Sequence, residues 1–261
     1  MEFYKFDGAG NDFVVIDNRE GRYALTEEQI ARLCHRRFGV GADGLMTLES
    51  TALDGYAFEM KYYNSDGRLG SMCGNGGRCI AMFAHLLGMG DKLRFMAYDG
   101  PHEASIQLWD SERRIGIVSL GMRGVAVDEV RRMEDGWFLD TGSPHYVLRV
   151  DDLEHYDVVG EGRRLRYRSD LFPQGANIDF IADLPDGRLF VRTYERGVED
   201  ETWACGTGVT ACAIVTGNHR LVTRGGDFRV DFEATGTAYE QVRLVGPVSL
   251  NFTGTWTFSA Q

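Results

Sequence analysis

Short segments in which apolar and polar residues alternate cover most of the chain, and such alternation is typical of half-buried β-strands. Strands are predicted at residues 56–63, 104–108, 114–119, 137–140, 146–150, 189–195, 228–232, 241–245 and 253–258. Two apolar runs, residues 78–87 and 209–215, are continuous instead and predict buried helices. A third helix is predicted at residues 26–38, where Thr26 can act as N-cap and Ile30 and Leu33 recur at helical spacing.

The two buried helices follow similar turns, which indicates a weak internal duplication. Cys73 and Cys205 each precede a Gly-x-Gly turn that leads directly into one of the apolar runs. Upstream of each turn, residues 8–15 and 175–182 both begin with a glycine turn and enter a strand-like run. This pattern predicts an α+β fold of two similar halves, each a sheet curled around one helix, with a boundary near residues 119–125.

Composition and charge narrow the class of protein. The 261 residues include 28 Lys and Arg against 39 Asp and Glu, a net charge of −11 that argues against nucleic-acid and anionic membrane partners. The first residues lack the charged-then-apolar pattern of a signal peptide, and no run approaches a membrane span. Five cysteines make a sparse, odd set rather than a disulfide framework. We therefore expect a cytoplasmic protein with reduced thiols.

The cysteines fall into two groups by their positions. Cys34, Cys79 and Cys212 lie inside helical apolar patterns, where cysteine usually acts as a small buried hydrophobe. Cys73 and Cys205 stand at helix starts, where the helix dipole favours a thiolate. The second group therefore contains the candidates for chemistry.

Three other interpretations of these turns remain open from the residues alone. Each Cys-Gly-x-Gly could be a strand-to-helix turn with a semi-buried thiol, although two matched copies weaken that view. Zinc is disfavoured because Cys73 and Cys79 are six positions apart and Cys205 and Cys212 seven apart, unlike the short spacing of structural zinc ligands. A structural disulfide between Cys73 and Cys205 is disfavoured by the expected compartment.

Two thiols at helix starts could together invert an amino-acid stereocentre. The free amides of each helix start can hold a carboxylate, while one thiol removes the α-proton and the other returns a proton to the opposite face. Such chemistry needs two bases of similar strength, because the reverse reaction exchanges their roles. Neither a pyridoxal phosphate lysine motif nor a metal signature is apparent, so no cofactor and no metal are expected.

Several motifs, taken in order, carry a resemblance to a known family. They are Phe6-Asp7-Gly8-Ala9-Gly10-Asn11-Asp12-Phe13, Tyr63-Asn64-Ser65-Asp66-Gly67, Met72-Cys73-Gly74-Asn75-Gly76-Gly77-Arg78-Cys79, Ser143-Pro144-His145, Gly175-Ala176-Asn177, Tyr194-Glu195-Arg196-Gly197 and Glu201-Thr202-Trp203-Ala204-Cys205-Gly206-Thr207-Gly208. With them the chain resembles the diaminopimelate epimerase family of cofactor-independent amino-acid racemases. The resemblance implies two pseudo-symmetric halves, each a curled, mostly antiparallel sheet around a central helix. It places residues 1–119, joined by the last strand at about 250–261, in one half and residues 120–249 in the other.

The resemblance also implies an activity and a role for each site residue. The activity is the epimerisation of LL-2,6-diaminopimelate to the meso form, for lysine and peptidoglycan biosynthesis, by a homodimeric isomerase. The resemblance implies that the two bases are Cys73 and Cys205, and that the reacting carboxylate is held by the amides of Gly74, Asn75, Gly206 and Thr207. It implies that His145 and Glu195 place the thiols and the substrate. The distal end of the substrate would be bound by Asn11, Asn64, Asn177 and Arg196. A second carboxylate at that distal end suits the bidentate donors of an arginine.

Two positions depart from the family pattern, and two other functions compete. Many members carry Asn where this chain has Ser143, and some carry Gln where it has Gly44. Both departures concern the substrate pocket. A proline or hydroxyproline racemase is the nearest alternative, although such enzymes typically have His at the position of Asn75 and lack the 194–197 motif. The alternative from another class is a thiol redox or metal-binding protein.

Overall fold

The computed structural model describes residues 1–70 and 73–258. Ser71 and Met72, the latter part of the first cysteine motif, lie outside the described residues, as do residues 259–261 at the end of the predicted last strand. The chain divides into two compact units, Met1–Leu120 with Pro247–Gln261, and Gly121–Gly246. Across the described ranges, no helix is long and apolar enough to cross a membrane.

The first unit is built from seven strands and two helices that come from its N-terminal segment, together with the end of the last strand. In chain order they are β1 (Glu2–Gly8), β2 (Asn11–Asp17), α1 (Glu27–Cys34), β3 (Gly44–Glu49), β4 (Phe58–Asn64), α2 (Gly74–Leu86), β5 (Lys92–Ala97), β6 (Gly100–Asp110) and β7 (Ile115–Gly121). Most pairs are antiparallel, and β2–β3 and β4–β5 are parallel. The sheet curls around α2, which packs against β1, β2, β3 and β6.

Burial explains why α2 forms where it does. All residues from Gly74 to Ala84 are buried, so the helix is surrounded by sheet rather than lying on a surface. The shorter α1 is amphipathic and packs Ile30 and Leu33 into a separate apolar cluster. Thr26 caps α1 as predicted, through a capping box with Gln29.

The second unit repeats this plan around α4. Its elements are β8 (Val125–Ala126), a 3₁₀ turn (Val127–Glu129), β9 (Arg131–Met133), β10 (Gly136–Asp140), β11 (Pro144–Arg149), α3 (Val158–Arg166), β12 (Asn177–Asp183), β13 (Leu189–Glu195), β14 (Asp200–Thr202), α4 (Gly206–Thr216), β15 (Arg220–Thr223), β16 (Gly226–Ala234) and β17 (Ala238–Thr255). Here β11–β12 and β13–β15 are parallel, and the other pairs are antiparallel. The helix α4 packs against β10, β11, β12, β13, β15 and β16. The predicted fold class is therefore confirmed.

The last strand belongs to both units. Residues 239–245 of β17 pair with β16, and residues 249–255 pair with β1. Two separate strands were predicted there, at residues 241–245 and 253–258, on either side of Pro247. The chain continues in strand conformation through this proline, and the division between the units falls beside it.

Candidate active site

The first thiol stands at the start of α2. Cys73 is the N-cap residue, in extended conformation, and its carbonyl accepts a hydrogen bond of 2.7 Å from the amide of Gly77. The amides of Gly74 and Asn75 lie in the first turn, where a helix offers donors without partners in its own backbone. The Cys73 side chain is half-buried, so a thiol and two helix-start amides share this place.

Asn11, at the start of β2, contacts this turn directly. Its Nδ2 donates to Asp43 Oδ2 at 2.7 Å, which fixes the orientation of the amide. Its Oδ1 therefore points to the turn, where it accepts from Cys73 Sγ at 3.5 Å and from Asn75 Nδ2 at 3.5 Å. The structure thus brings together Cys73, Asn75 and Asn11.

Charged residues that were not predicted to belong to the site hold Asn11 in place. Asp43 pairs with Arg36 at 2.7 Å, and Arg36 also pairs with Asp12, next to Asn11. Lys5, almost fully buried, makes a further ion pair with Asp12. Burial raises the pKa of Asp12, but hydrogen bonds from Arg36 and Lys5 outweigh it and lower that pKa to about 2. Asp12 is therefore ionised across the physiological range.

A buried cation lies beneath the first turn. Arg78 is fully buried and donates to Gly74 O at 3.2 Å and to Asn75 Oδ1 at 2.9 Å. Burial lowers the pKa of Arg78 to about 10, while negative charge on Cys79 or Cys73 would raise it. Because such coupling is mutual, the guanidinium favours the thiolate of Cys73.

The second thiol stands at the start of α4. Cys205 is the N-cap residue in extended conformation, and only 5% of it is exposed. Burial raises the pKa of Cys205 well above its ordinary value, and the carboxylates of Glu195 and Asp179 raise it further. The expectation that a helix start favours the thiolate does not hold here, because burial and the two carboxylates outweigh the hydrogen bonds from the Thr207 side chain and the Gly208 amide, which lower the pKa of Cys205. The two thiols thus occupy matching places in their units with different electrostatic surroundings.

A row of hydrogen-bonded polar side chains ends on Cys205, and its members are Thr193, Asp179, His145 and Thr207. Asp179 and His145 are fully buried, and His145 Nδ1 donates to Asp179 Oδ2 at 2.7 Å. His145 Nε2 is 2.9 Å from Thr207 Oγ1, which in turn is 3.4 Å from Cys205 Sγ. Thr193 donates to the other oxygen of Asp179 at 2.7 Å. Asp179 was not selected from the sequence, because its only signal there is its place in the repeat.

Asn177 and Ser143 lie beside this row. The amide of Arg196 donates to Asn177 Oδ1 at 2.8 Å, so Asn177 Nδ2 faces the other way. There it lies 3.1 Å from Ser143 Oγ and 3.3 Å from His145 Nε2. Ser143, one of the two departures from the family pattern, is therefore a partner of Asn177.

The remaining predicted residues are less tightly bound to the turns. Glu195 accepts from Thr202 Oγ1 at 3.0 Å and is close enough to Cys205 to affect its pKa. The Arg196 guanidinium donates to Gln174 O at 3.1 Å. Asn64 ends β4 on the surface, and its backbone hydrogen bonds lie in the following turn.

Gly44, the other departure, leaves room for an aromatic ring. A Cβ at this position would lie 2.5 Å from Tyr62 Cε2 and 2.6 Å from Tyr63 O. The ring of Tyr62 therefore fills the space that a larger residue 44 would need.

The other cysteines are packing residues, as predicted. Cys34, Cys79 and Cys212 are buried in apolar surroundings. Burial raises the pKa of each thiol, for Cys34 to about 12. Among residues 1–70 and 73–258, no three His, Cys, Asp or Glu side chains are grouped as a metal ion would require.

Comparison with known structures shows that other proteins share this fold. A probable proline racemase from Agrobacterium radiobacter superposes with a TM-score of 0.72 at 13% identity, over 99% of this chain and 93% of the other. At that identity the likeness shows the fold and nothing about the substrate.

Comparison of sequences identifies the family. The family model described as diaminopimelate epimerase matches residues 3–122 and 137–242. A diaminopimelate epimerase of Flavobacterium psychrophilum is 43% identical over 97% of this chain and 98% of its own length. One from Chlorobaculum tepidum is 45% identical over 80% of each chain. The chain belongs to the diaminopimelate epimerase family.

Proposed function

We propose that Cys73 and Cys205 are the two acid–base groups with which this chain epimerises LL-2,6-diaminopimelate to meso-2,6-diaminopimelate. The observation that carries the proposal is the repeated site, a cysteine N-cap at the start of a buried helix in each unit. Relatives that bear the name diaminopimelate epimerase over nearly the full length support the choice of substrate.

Inversion explains why two thiols are needed rather than one. A single base that removes and returns the same proton regenerates the starting stereoisomer. With two, one thiolate takes the α-proton and the other group, as a thiol, delivers a proton to the opposite face of the carbanion. Each turnover leaves the two protonation states exchanged, so both cysteines serve in both directions.

The helix-start amides are the groups that would hold the reacting carboxylate. Gly74 and Asn75 in one unit, and Gly206 and Thr207 in the other, offer backbone donors at helix N-termini. Preorganised donors of this kind stabilise the negative charge that spreads onto the carboxylate when the α-proton leaves.

The distal end of the substrate requires a separate set of polar groups. We assign Asn11, Asn64, Asn177 and Arg196 to the second amino and carboxylate groups. The guanidinium of Arg196 donates to a backbone carbonyl, and a carboxylate is a stronger acceptor for it. His145 and Glu195 would place Cys205 and the substrate.

The test is exchange of the α-proton in deuterated water. Purified protein should incorporate deuterium into LL- and meso-diaminopimelate and interconvert them, and should leave L-proline unlabelled. Labelling of proline without labelling of diaminopimelate would show a proline racemase instead.

The two cysteines are tested by substitution. Cys73→Ala and Cys205→Ala should each reduce interconversion of the stereoisomers by at least about a thousandfold, because each removes one of two obligatory proton carriers. Cys34→Ala, which removes a buried packing cysteine, is the matched control and should retain turnover. Normal interconversion by either active-site variant would refute the two-base assignment.

Thiol chemistry of this kind calls for no metal and no organic cofactor. We expect dialysis against EDTA, and separately treatment with hydroxylamine, to leave the rate unchanged. We further expect a cytoplasmic homodimer. Sedimentation equilibrium would measure the mass of the assembly. Loss of activity on dialysis that zinc restores would favour a metal enzyme.

A further inference from the structure

The hydrogen-bond directions around His145 can be assigned from its neighbours. Asn177 Oδ1 accepts from the amide of Arg196, and Asn177 Nδ2 lies 3.3 Å from the carbonyl of Pro144. Both contacts make Nδ2 the donor side, and this side also faces His145 Nε2 at 3.3 Å. Because an N–H group faces it, Nε2 is an acceptor, and the ring proton lies on Nδ1, directed at Asp179.

That tautomer sets the direction of the next two bonds. With Nε2 an acceptor, the Thr207 hydroxyl donates to His145 at 2.9 Å. The Thr207 oxygen then has only lone pairs left for Cys205, so across their 3.4 Å separation the thiol S–H is the donor. Thr141 Oγ1 donates to Thr207 O at 2.9 Å and helps to hold the residue in position.

We propose that Asp179 and Thr207 are positioning residues of Cys205 with different effects: Asp179, which holds His145, keeps Cys205 in its thiol form in the resting protein, and Thr207 orients that thiol and stabilises the thiolate that it becomes. This inference rests on the proposed function, because it states which of the two proposed proton carriers is the acid at the start of a cycle. Cys205 is that acid, and Cys73, above the buried cation of Arg78, is the base.

The charged groups around Cys205 agree with this assignment. The carboxylates of Asp179 on β12 and Glu195 on β13 both face it, and both disfavour negative charge on the sulfur. The further titratable neighbour on α4 is Cys212, a buried thiol with a raised pKa. The residues beneath the two turns differ in polarity. A Cβ at Gly76 in the first unit would contact Met46 and Phe13, whereas a Cβ at Gly208 in the second unit would contact Asp179 and His145.

The row also accommodates the product state of Cys205. When the thiol protonates the carbanion, its S–H bond breaks, a C–H bond forms and a thiolate remains. The Thr207 hydroxyl can then rotate to donate to that thiolate, while Asn177 Nδ2 remains a donor to His145 Nε2. The Nδ1 proton stays between His145 and Asp179 throughout.

The test is the pH dependence of alkylation at each cysteine, which requires neither substrate nor turnover. Protein without ligand is treated with iodoacetamide, and the Cys73 and Cys205 peptides are quantified by mass spectrometry. At pH 7 Cys73 should react at least about tenfold faster than Cys205, because the thiolate is the nucleophile. Faster reaction at Cys205 would overturn the proposal.

Two substitutions should move the Cys205 profile in opposite directions. Asp179→Asn removes a negative charge and keeps nearly the same side-chain shape. The pKa of Cys205 should therefore fall by about one unit, and Cys205 should react about tenfold faster at pH 7. Thr207→Val should slow it about tenfold, because a hydroxyl stabilises a thiolate more than a thiol, and Thr207→Ser should restore the wild-type profile. Thr216→Val makes the same change at the other end of α4 and should leave the pH profiles of alkylation at Cys73 and Cys205 unchanged.

These outcomes separate the inference from the proposed function. If the wild type epimerises diaminopimelate but both variants keep the wild-type Cys205 profile, the row does not control the thiol and only the inference fails. If both variants shift it in the same direction, a general structural disturbance is responsible, and the inference fails again. If wild-type protein labels no diaminopimelate, the proposed function fails whatever the alkylation data show.

Discussion

At the residue scale, the two thiol turns differ in what lies beneath them. The internal repeat marks Cys73 and Cys205 in the sequence, but no sequence pattern marks Arg78 and Asp179 as their partners. Arg78 is one helical turn from the first cysteine and has the same appearance as any helical arginine until its burial is known. Asp179 meets His145 across 34 positions of sequence, a distance over which no local pattern carries information.

Arg78 gives a prediction at this scale. Arg78→Met should slow alkylation of Cys73 at pH 7 by about tenfold, because it removes the buried positive charge that favours the thiolate. Arg78→Lys keeps the charge and should retain most of the wild-type rate, while a circular dichroism melt verifies that both variants fold. Equal slowing in both variants would show that packing, rather than charge, is what Arg78 contributes.

At the scale of elements, sequence patterns located the two buried helices but misplaced their starts. The predicted helix at residues 78–87 begins at Gly74, and the one at 209–215 begins at Gly206. Glycine and asparagine are poor helix formers, so apolar periodicity does not reveal a first turn made of them. The helix α3 was missed for a related reason, because its two glycines and four charged residues hide the face formed by Val158 and Leu165.

The glycines of the two turns give a prediction at the same scale. A Cβ at Gly208 would lie 2.4 Å from Asp179 Oδ1, whereas one at Gly76 would lie 3.1 Å from Met46 Sδ. Methionine can move aside and buried Asp179 cannot, so Gly208→Ala should destabilise the protein by about 2 kcal/mol and Gly76→Ala by less than about 1 kcal/mol. Urea unfolding measures both. Equal losses would mean that the layers beneath α2 and α4 are equally adaptable.

At the scale of the whole molecule, the class of fold followed from the repeat and the alternation, but the ion pairs that tie distant segments together did not. Lys5, Asp12, Arg36 and Asp43 come from β1, β2 and the segment after α1, and only the folded chain brings them together. Because each is a common surface residue type, no local pattern indicates that Lys5 is only 5% exposed.

This ion-pair group predicts how stability depends on pH. The pKa of Asp12 is lowered in the folded protein from 3.8 to about 2, since the hydrogen bonds from Arg36 and Lys5 outweigh burial. Its stabilisation is therefore complete above pH 3.8 and is lost as the pH falls towards 2. Asp12→Asn should lower the free energy of unfolding at pH 7 by about 1–2 kcal/mol, after allowance for solvent screening. The difference from wild type should shrink as urea titrations move from pH 4 to pH 2.

Glu233→Gln, which removes an exposed carboxylate on β16, is the control and should show little loss at either pH. A difference that stays constant down to pH 2 would mean that Asp12 stabilises the fold through its shape rather than its charge.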